Sequence, residues 1–200
     1  MMANVNSYTW SMPTPDRTSL ADIVAAGRDL LESDGPARLT MQAVADRVGV
    51  RAPSLYKRVR NREELMDLIA EASVRDLGAR LRAVAEAEPD ARGRLRALAV
   101  ALREFAHAHP AAFHLVFTPP PGTSGSRPES LAVASAPLIE VAGELAGPER
   151  ALDAARTVTA WANGFLGMEL GGSFRLGGDL DAAFDYGIDA LARALTASGD

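Results

Sequence analysis

Residues 39–65 read LTMQAVADRVGVRAPSLYKRVRNREEL, and this stretch decides the fold. Thr40 is a good N-cap, and Met41, Val44, Ala45 and Val48 follow at helical spacing as one apolar face. Gly49-Val50 stops that helix after about two turns, glycine being free to adopt the left-handed cap. A second short helix restarts at once with Pro53 in its first turn, where the missing N–H does no harm. Ala52, Leu55 and Val59 form its inner face, which leaves Arg51, Pro53, Ser54, Tyr56, Lys57 and Arg58 outside. Two short helices joined by a tight glycine turn, the second basic on its outer face, are what a helix-turn-helix requires. In that motif the second helix enters the DNA major groove with its N-terminal residues at the base edges. Arg51, Lys57, Arg58 and Arg62 can neutralise phosphates, and an arginine can also bind guanine through two parallel hydrogen bonds. The hydroxyls of Thr40, Ser54 and Tyr56 suit phosphate oxygens. An ordinary helical hairpin with a solvated basic face is the competing reading.

Charge sharpens the contrast between this region and the rest. The 200-residue chain carries a net charge of −5, yet residues 1–62 hold nine basic and six acidic residues and net +3. Residues 63–200 hold 12 basic and 20 acidic residues and net −8. From Arg47 to Arg62 there are six basic residues and no acid. A basic patch on an acidic protein attracts a polyanion at one place and repels it elsewhere.

The remaining sequence reads as helix throughout. Alanine occurs 38 times, and the Ala/Leu/Arg/Glu vocabulary favours helix, while no alternating β-branched runs mark strands. Residues 1–18, rich in Ser, Thr and Pro, are expected to form a flexible tail. Ser19 with Asp22 resembles a capping box for a first helix that ends at Asp34-Gly35-Pro36. Asn61 with Glu64 caps a fourth helix that runs to Glu88-Pro89-Asp90. A fifth closes at Pro110, and a short sixth carries Phe113, Val116 and Phe117. Residues 118–130, with Pro119-Pro120-Pro121-Gly122, are expected to be a loop and the main disordered interior segment. A seventh helix from about Pro128 would kink at Pro137; an eighth follows Gly147-Pro148, and a ninth ends the chain. The expectation is an all-α fold of about nine helices: a tail over 1–18, a three-helix DNA-binding domain over 19–62, and a larger helical domain over 63–200.

Residues 39–65 resemble the DNA-binding signature of the tetracycline-repressor (TetR) family of regulators. Thr40, Val44-Ala45, Gly49-Val50, Pro53-Ser54-Leu55-Tyr56 and Arg62-Glu63-Glu64-Leu65 carry the resemblance at fixed spacing, and it extends over about residues 19–70. It implies that Thr40 and Tyr56 hold phosphates and that Pro53, Ser54, Lys57 and Arg58 face the groove. It also implies that Arg62 stands where the family has a phosphate-binding lysine. Arg51 occupies a position that is often Ser or Thr, so its target is left open, and Val59 replaces a commoner Phe. Residues 161–170 (WANGFLGMEL) resemble a C-terminal subgroup marked by a Trp-His-Gly motif, with Asn163 where that His would stand.

The resemblance implies that the larger domain binds a small effector and forms a homodimer. Candidate effector residues are Phe105, His109, Phe113, Phe117, Trp161, Asn163, Phe165 and Met168, an aromatic supply with few polar groups that suits a hydrophobic or amphipathic ligand. The same residues would also serve as plain core. For the dimer, Gly164, Gly167 and Gly171 allow close helix approach, and Leu180, Phe184, Ile188, Leu191 and Leu195 form an apolar stripe. Covering the monomer core is the alternative role of that stripe. A dimer fits a reader whose half-sites, on a pseudo-palindromic double-stranded operator, lie about 34–36 Å apart.

The exclusions follow from composition and motif. With no cysteine, disulfides, thiolate zinc sites and cysteine nucleophiles are out. His107 and His109 point to different helix faces, so no metal is expected. No phosphate loop, Gly-x-Ser-x-Gly elbow or His-Glu-x-x-His motif suggests an enzyme or a cofactor. With no signal-peptide pattern and no apolar run of membrane length, a cytoplasmic location without membrane association is expected. The expected function is a sequence-specific DNA-binding transcriptional regulator, a repressor released by its effector. The alternative is a ligand-independent or architectural DNA binder.

Overall fold

The computed structural model describes residues 18–197, and every regular element among them is helical. In chain order these are α1 (Leu20–Asp34), α2 (Met41–Val48), α3 (Ala52–Leu55), α4 (Arg62–Ala87), α5 (Ala91–Ala108), α6 (Pro110–Phe117), α7 (Pro128–Ala146), α8 (Ala151–Leu170) and α9 (Leu180–Ala197). One 3-10 turn, Pro148–Arg150, precedes α8. Of the expected tail only Thr18 falls within the described residues, and it is buried.

Local chemistry sets the helix ends. The Ser19 hydroxyl accepts the Asp22 N–H at 3.1 Å while the Asp22 carboxylate accepts the Ser19 N–H at 2.9 Å, a reciprocal cap. Thr40 accepts from the Ala43 N–H at 3.1 Å and Asn61 from the Glu64 N–H at 2.8 Å. Gly49, at φ 74° and ψ 31°, takes the left-handed conformation that ends α2 and turns the chain toward α3.

Two large apolar cores result, beside a small cluster of Ala142, Ala146, Ala154 and Ala155 between α7 and α8. The first joins α1, α2 and α3 to the start of α4 through Ile23, Leu30, Leu39, Val44, Leu55, Val59, Leu65 and Ile69. It extends past the expected boundary at residue 62, since Leu65, Met66, Ile69 and Ala70 of α4 belong to it. The second gathers Leu95, Leu98, Phe105, Phe113, Val141, Val158, Leu166, Phe184 and Ile188 from α5 to α9. Helix α6 serves both cores, with Leu115 in the first and Ala112 and Phe113 in the second. Where α4 crosses α7, a Cβ on Gly78 would lie 2.9 Å from the Ala134 Cα, so glycine permits the close approach.

Two expectations need correction. Helix α3 ends at Leu55 instead of running to Val59, and residues 56–58 form turns. The Arg58 and Val59 N–H groups both donate to the Leu55 carbonyl, at 2.8 and 2.9 Å. This tight return drops Val59 into the first core at 0% exposure just before α4 starts. The loop expected to be disordered is instead fastened to α4. Asp67 accepts the Ser124 and Gly125 N–H groups at 2.8 and 2.9 Å. One turn on, Glu71 accepts the Arg127 N–H, the Arg127 guanidinium and the Ser130 hydroxyl. Helix α7 runs through the buried Pro137 as a single element.

Candidate nucleic-acid interface

The two faces of the α2–α3 unit divide by side chain. Val44, Ala45, Leu55 and Val59 are 0% exposed beneath it. On the other side Arg51, Pro53, Ser54, Tyr56, Lys57 and Arg58 are all exposed. Thr40 is exposed at the start of α2; its oxygen already caps Ala43, and its hydroxyl hydrogen can be donated to an anion. Seven of the eight residues expected to touch DNA therefore stand in solvent, on or beside two short helices held from behind by an apolar core. Cationic and hydroxyl donors presented on such a rigid support are what phosphate positioning and base reading require.

Arg62 is the exception. It is half-buried, and its Nε donates to the Leu39 carbonyl at 2.7 Å and its Nη2 to the Pro36 carbonyl at 2.5 Å. Arg60 is exposed but paired, since Glu64 accepts both its N–H at 2.5 Å and its Nε at 3.2 Å. The Arg60 backbone N–H, then its side chain, holds the Glu64 carboxyl below its ordinary value.

Residues 23–69 match the family model described as bacterial regulatory proteins, tetR family, and residues 95–191 match the tetracyclin repressor-like C-terminal domain. An HTH-type transcriptional regulator of Mycobacterium tuberculosis, Rv0681, is 30% identical over 168 residues, covering 81% of this chain and 75% of that protein. The chain belongs to the TetR family of transcriptional regulators. Tetracycline repressor class E of Escherichia coli is 38% identical over 56 residues, which span 28% of this chain and only about a quarter (26%) of that repressor. Among solved structures, BioQ with its natural double-stranded DNA operator is 25% identical with a TM-score of 0.62, covering 88% of this chain and 97% of that one. A TetR variant of Acinetobacter baumannii AYE in complex with minocycline shares the fold at 24% identity and a TM-score of 0.70, covering 92% of this chain and 99% of that one.

The expected effector residues of this TetR-family chain are only partly brought together. Phe105 and Phe113 are buried in the second core, with Phe117, Trp161 and Phe165 half-buried against it. The Phe113 and Phe117 rings lie 4.8 Å apart, and Trp161 lies 5.6 Å from Phe165 and 5.3 Å from Phe184. His109 sits 5.4 Å from the Phe105 ring at the end of α5, and Asn163 is half-buried. Met168 does not belong with them, because at 46% exposure it faces outward from α8.

The expected dimer stripe needs a similar correction. Phe184 and Ile188 are each 1% exposed within the chain's own core, so neither is available to a second copy. Leu191 and Leu195 pack half-buried on that same core, and Leu180 is half-buried at the start of α9. Gly164 on α8 and Gly171 just after it do face solvent, and Gly167 is half-buried.

A polar network that the sequence reading did not assemble bridges α5, α8 and α9. Arg103 reaches Glu169 at 2.5 Å and Asp181 at 2.7 Å, and its guanidinium lies 4.9 Å from the centre of the Phe184 ring. His107 lies 3.2 Å from the same Glu169 carboxylate. Burial pushes the Glu169 carboxyl upward, but the hydrogen bonds from Arg103 and His107 outweigh it and leave the group below its ordinary value. No local motif signals these partners, since Arg103 and Glu169 are 66 residues apart.

Proposed function

We propose that this TetR-family chain is a homodimeric repressor whose two α2–α3 units read a pseudo-palindromic operator. A small hydrophobic or amphipathic effector, bound in the α5–α9 domain, releases it. The observation that carries the reading is the sorting of α2–α3, with Leu55 and Val59 wholly buried and Arg51, Ser54, Tyr56, Lys57 and Arg58 exposed. The DNA operator held by BioQ and the minocycline held by the Acinetobacter protein support the two halves of the reading by similarity. Helix α6 suits the link between halves, because its residues lie in both cores. An effector would shift the DNA-binding equilibrium only by its difference in affinity for the two conformations.

The test is a mobility-shift titration on DNA flanking the protein's own gene, against random competitor at about 0.15 M salt. A discrete complex that survives competitor is the expected result, and it supplies the probe for an effector screen. Binding that competitor abolishes, with a steep salt dependence, would reduce the protein to a general electrostatic DNA binder.

A further inference from the structure

We infer that Arg62 acts on DNA indirectly, as a positioning residue that holds the turn between α1 and α2, and makes no phosphate contact of its own. This inference rests on the DNA-binding reading above. It departs from the role that resemblance assigns to the position, where a lysine would meet a phosphate as a point charge.

The geometry begins with the backbone. Only residues 35–40 separate α1 from α2, and the segment ends at Thr40, the N-cap of α2 and an expected phosphate ligand. Arg38 donates its N–H to the Gly35 carbonyl at 3.2 Å, which closes the turn and leaves the Pro36 and Leu39 carbonyls for other donors. Arg62, the first residue of α4, supplies both: Nε to Leu39 at 2.7 Å and Nη2 to Pro36 at 2.5 Å. Leu39 itself is 0% exposed, anchored in the first core. The guanidinium thus ties the start of α4 to the residue directly before Thr40.

The chemistry of the fork favours the positioning role. Nε and Nη2 form one of the two edges with which the planar guanidinium grips a pair of oxygens in parallel, the other being Nη1 with Nη2. Here the first of these edges is occupied by two carbonyls of the chain itself. Turning this edge toward a phosphate would strip the donor from both carbonyls; the exposed Pro36 carbonyl can turn to water, but the Leu39 carbonyl, in a partly buried bond, is costly to leave unpaired. An ammonium cannot span the two acceptors in the same fixed plane, so this role needs arginine specifically, whereas a phosphate contact through charge alone would tolerate lysine.

The experiment compares wild type, Arg62→Ala and Arg62→Lys in the full-length protein, using an operator fragment over a salt series. In parallel, hydrogen exchange of the 35–41 segment is measured on the free proteins. Both variants should bind operator about tenfold more weakly than wild type, with an unchanged slope of log affinity against log salt. Both should also show faster exchange across 35–41. Retained wild-type affinity in Arg62→Lys, or a salt slope lowered by about one unit in Arg62→Ala, is the signature of a lost phosphate contact and would overturn the inference. So would unchanged exchange at 35–41 in both variants. If wild type bound no DNA specifically, the DNA-binding reading would fail and take the indirect role with it. The exchange data would then still decide whether Arg62 holds the turn.

Discussion

Tyr56 follows Leu55 directly, yet Leu55 is 0% exposed and Tyr56 is 52% exposed. Period and polarity place both in the sequence, because a short helix packed on one side must send its neighbours outward. With the ring in solvent beside Ser54 and Lys57, the phenol hydroxyl is the part of Tyr56 suited to a phosphate oxygen. Tyr56→Phe should therefore weaken operator and random DNA alike by ~1 kcal/mol, the typical net worth of one hydrogen bond. Competition titrations on both DNAs check this, and a relaxed sequence preference would instead assign Tyr56 to base reading. Arg62 was less legible for a physical reason. Its partners are carbonyls, which every residue carries, so residue types reveal nothing of the contact; only the folded turn brings Pro36 and Leu39 to it.

Elements whose ends are set locally were readable, and elements set by distant partners were not. Ser19, Thr40 and Asn61 cap α1, α2 and α4 through hydrogen bonds spanning three residues, so sequence spacing alone locates those starts. The segment before α7 is different. Its proline- and glycine-rich composition reads as disorder, but Asp67 and Glu71 on α4, 56 to 59 residues upstream, accept five hydrogen bonds from residues 124–130. Glu71 is buried, and the Arg127 guanidinium, opposed by burial and helped by the Ser130 hydroxyl, brings its carboxyl from 4.5 down to about 2. A carboxyl depressed by folding stabilises the fold above its unfolded value and loses that contribution as pH falls through its folded value. Wild type should thus exceed Glu71→Gln in stability by about 1–2 kcal/mol near neutrality, Arg127 being exposed enough to recover some hydration. That difference should shrink as pH falls from about 4.5 toward about 2. Urea midpoints of the two proteins across this range are the measurement, and a constant difference would mean that the ionised carboxylate is not what holds the loop.

At the scale of the whole molecule, the question is which side of α9 is open to a second copy in the proposed homodimer. The apolar stripe was visible in the sequence, but one chain cannot say whether its own core or a partner covers an apolar face. Packing answers for the chain itself: Phe184, Ile188 and Ala192 point inward beside Trp161 and Phe165. The opposite side of α9 carries Ala182 and Tyr186, the latter 73% exposed, whereas Asp189 turns toward α5 and pairs with Arg96 at 3.6 Å. On α8 the outward side is Thr157, Ala160, Gly164 and Met168, followed by Gly171 at its end, mostly small residues that allow a second helix pair to come close. If the homodimer forms through these surfaces, two substitutions on the same helix should behave in opposite ways. Tyr186→Glu places a charge in the interface and should shift the protein toward monomer in light scattering while its thermal transition stays cooperative. Operator binding should fall with it, because a lone reader loses the second half-site. Phe184→Ala should cost about 3–5 kcal/mol of stability through the cavity it leaves, with no selective loss of the dimer. Dissociation by Phe184→Ala and an intact dimer in Tyr186→Glu would return the interface to the buried stripe. That outcome would require α9 to leave the core in which Phe184 is now 1% exposed.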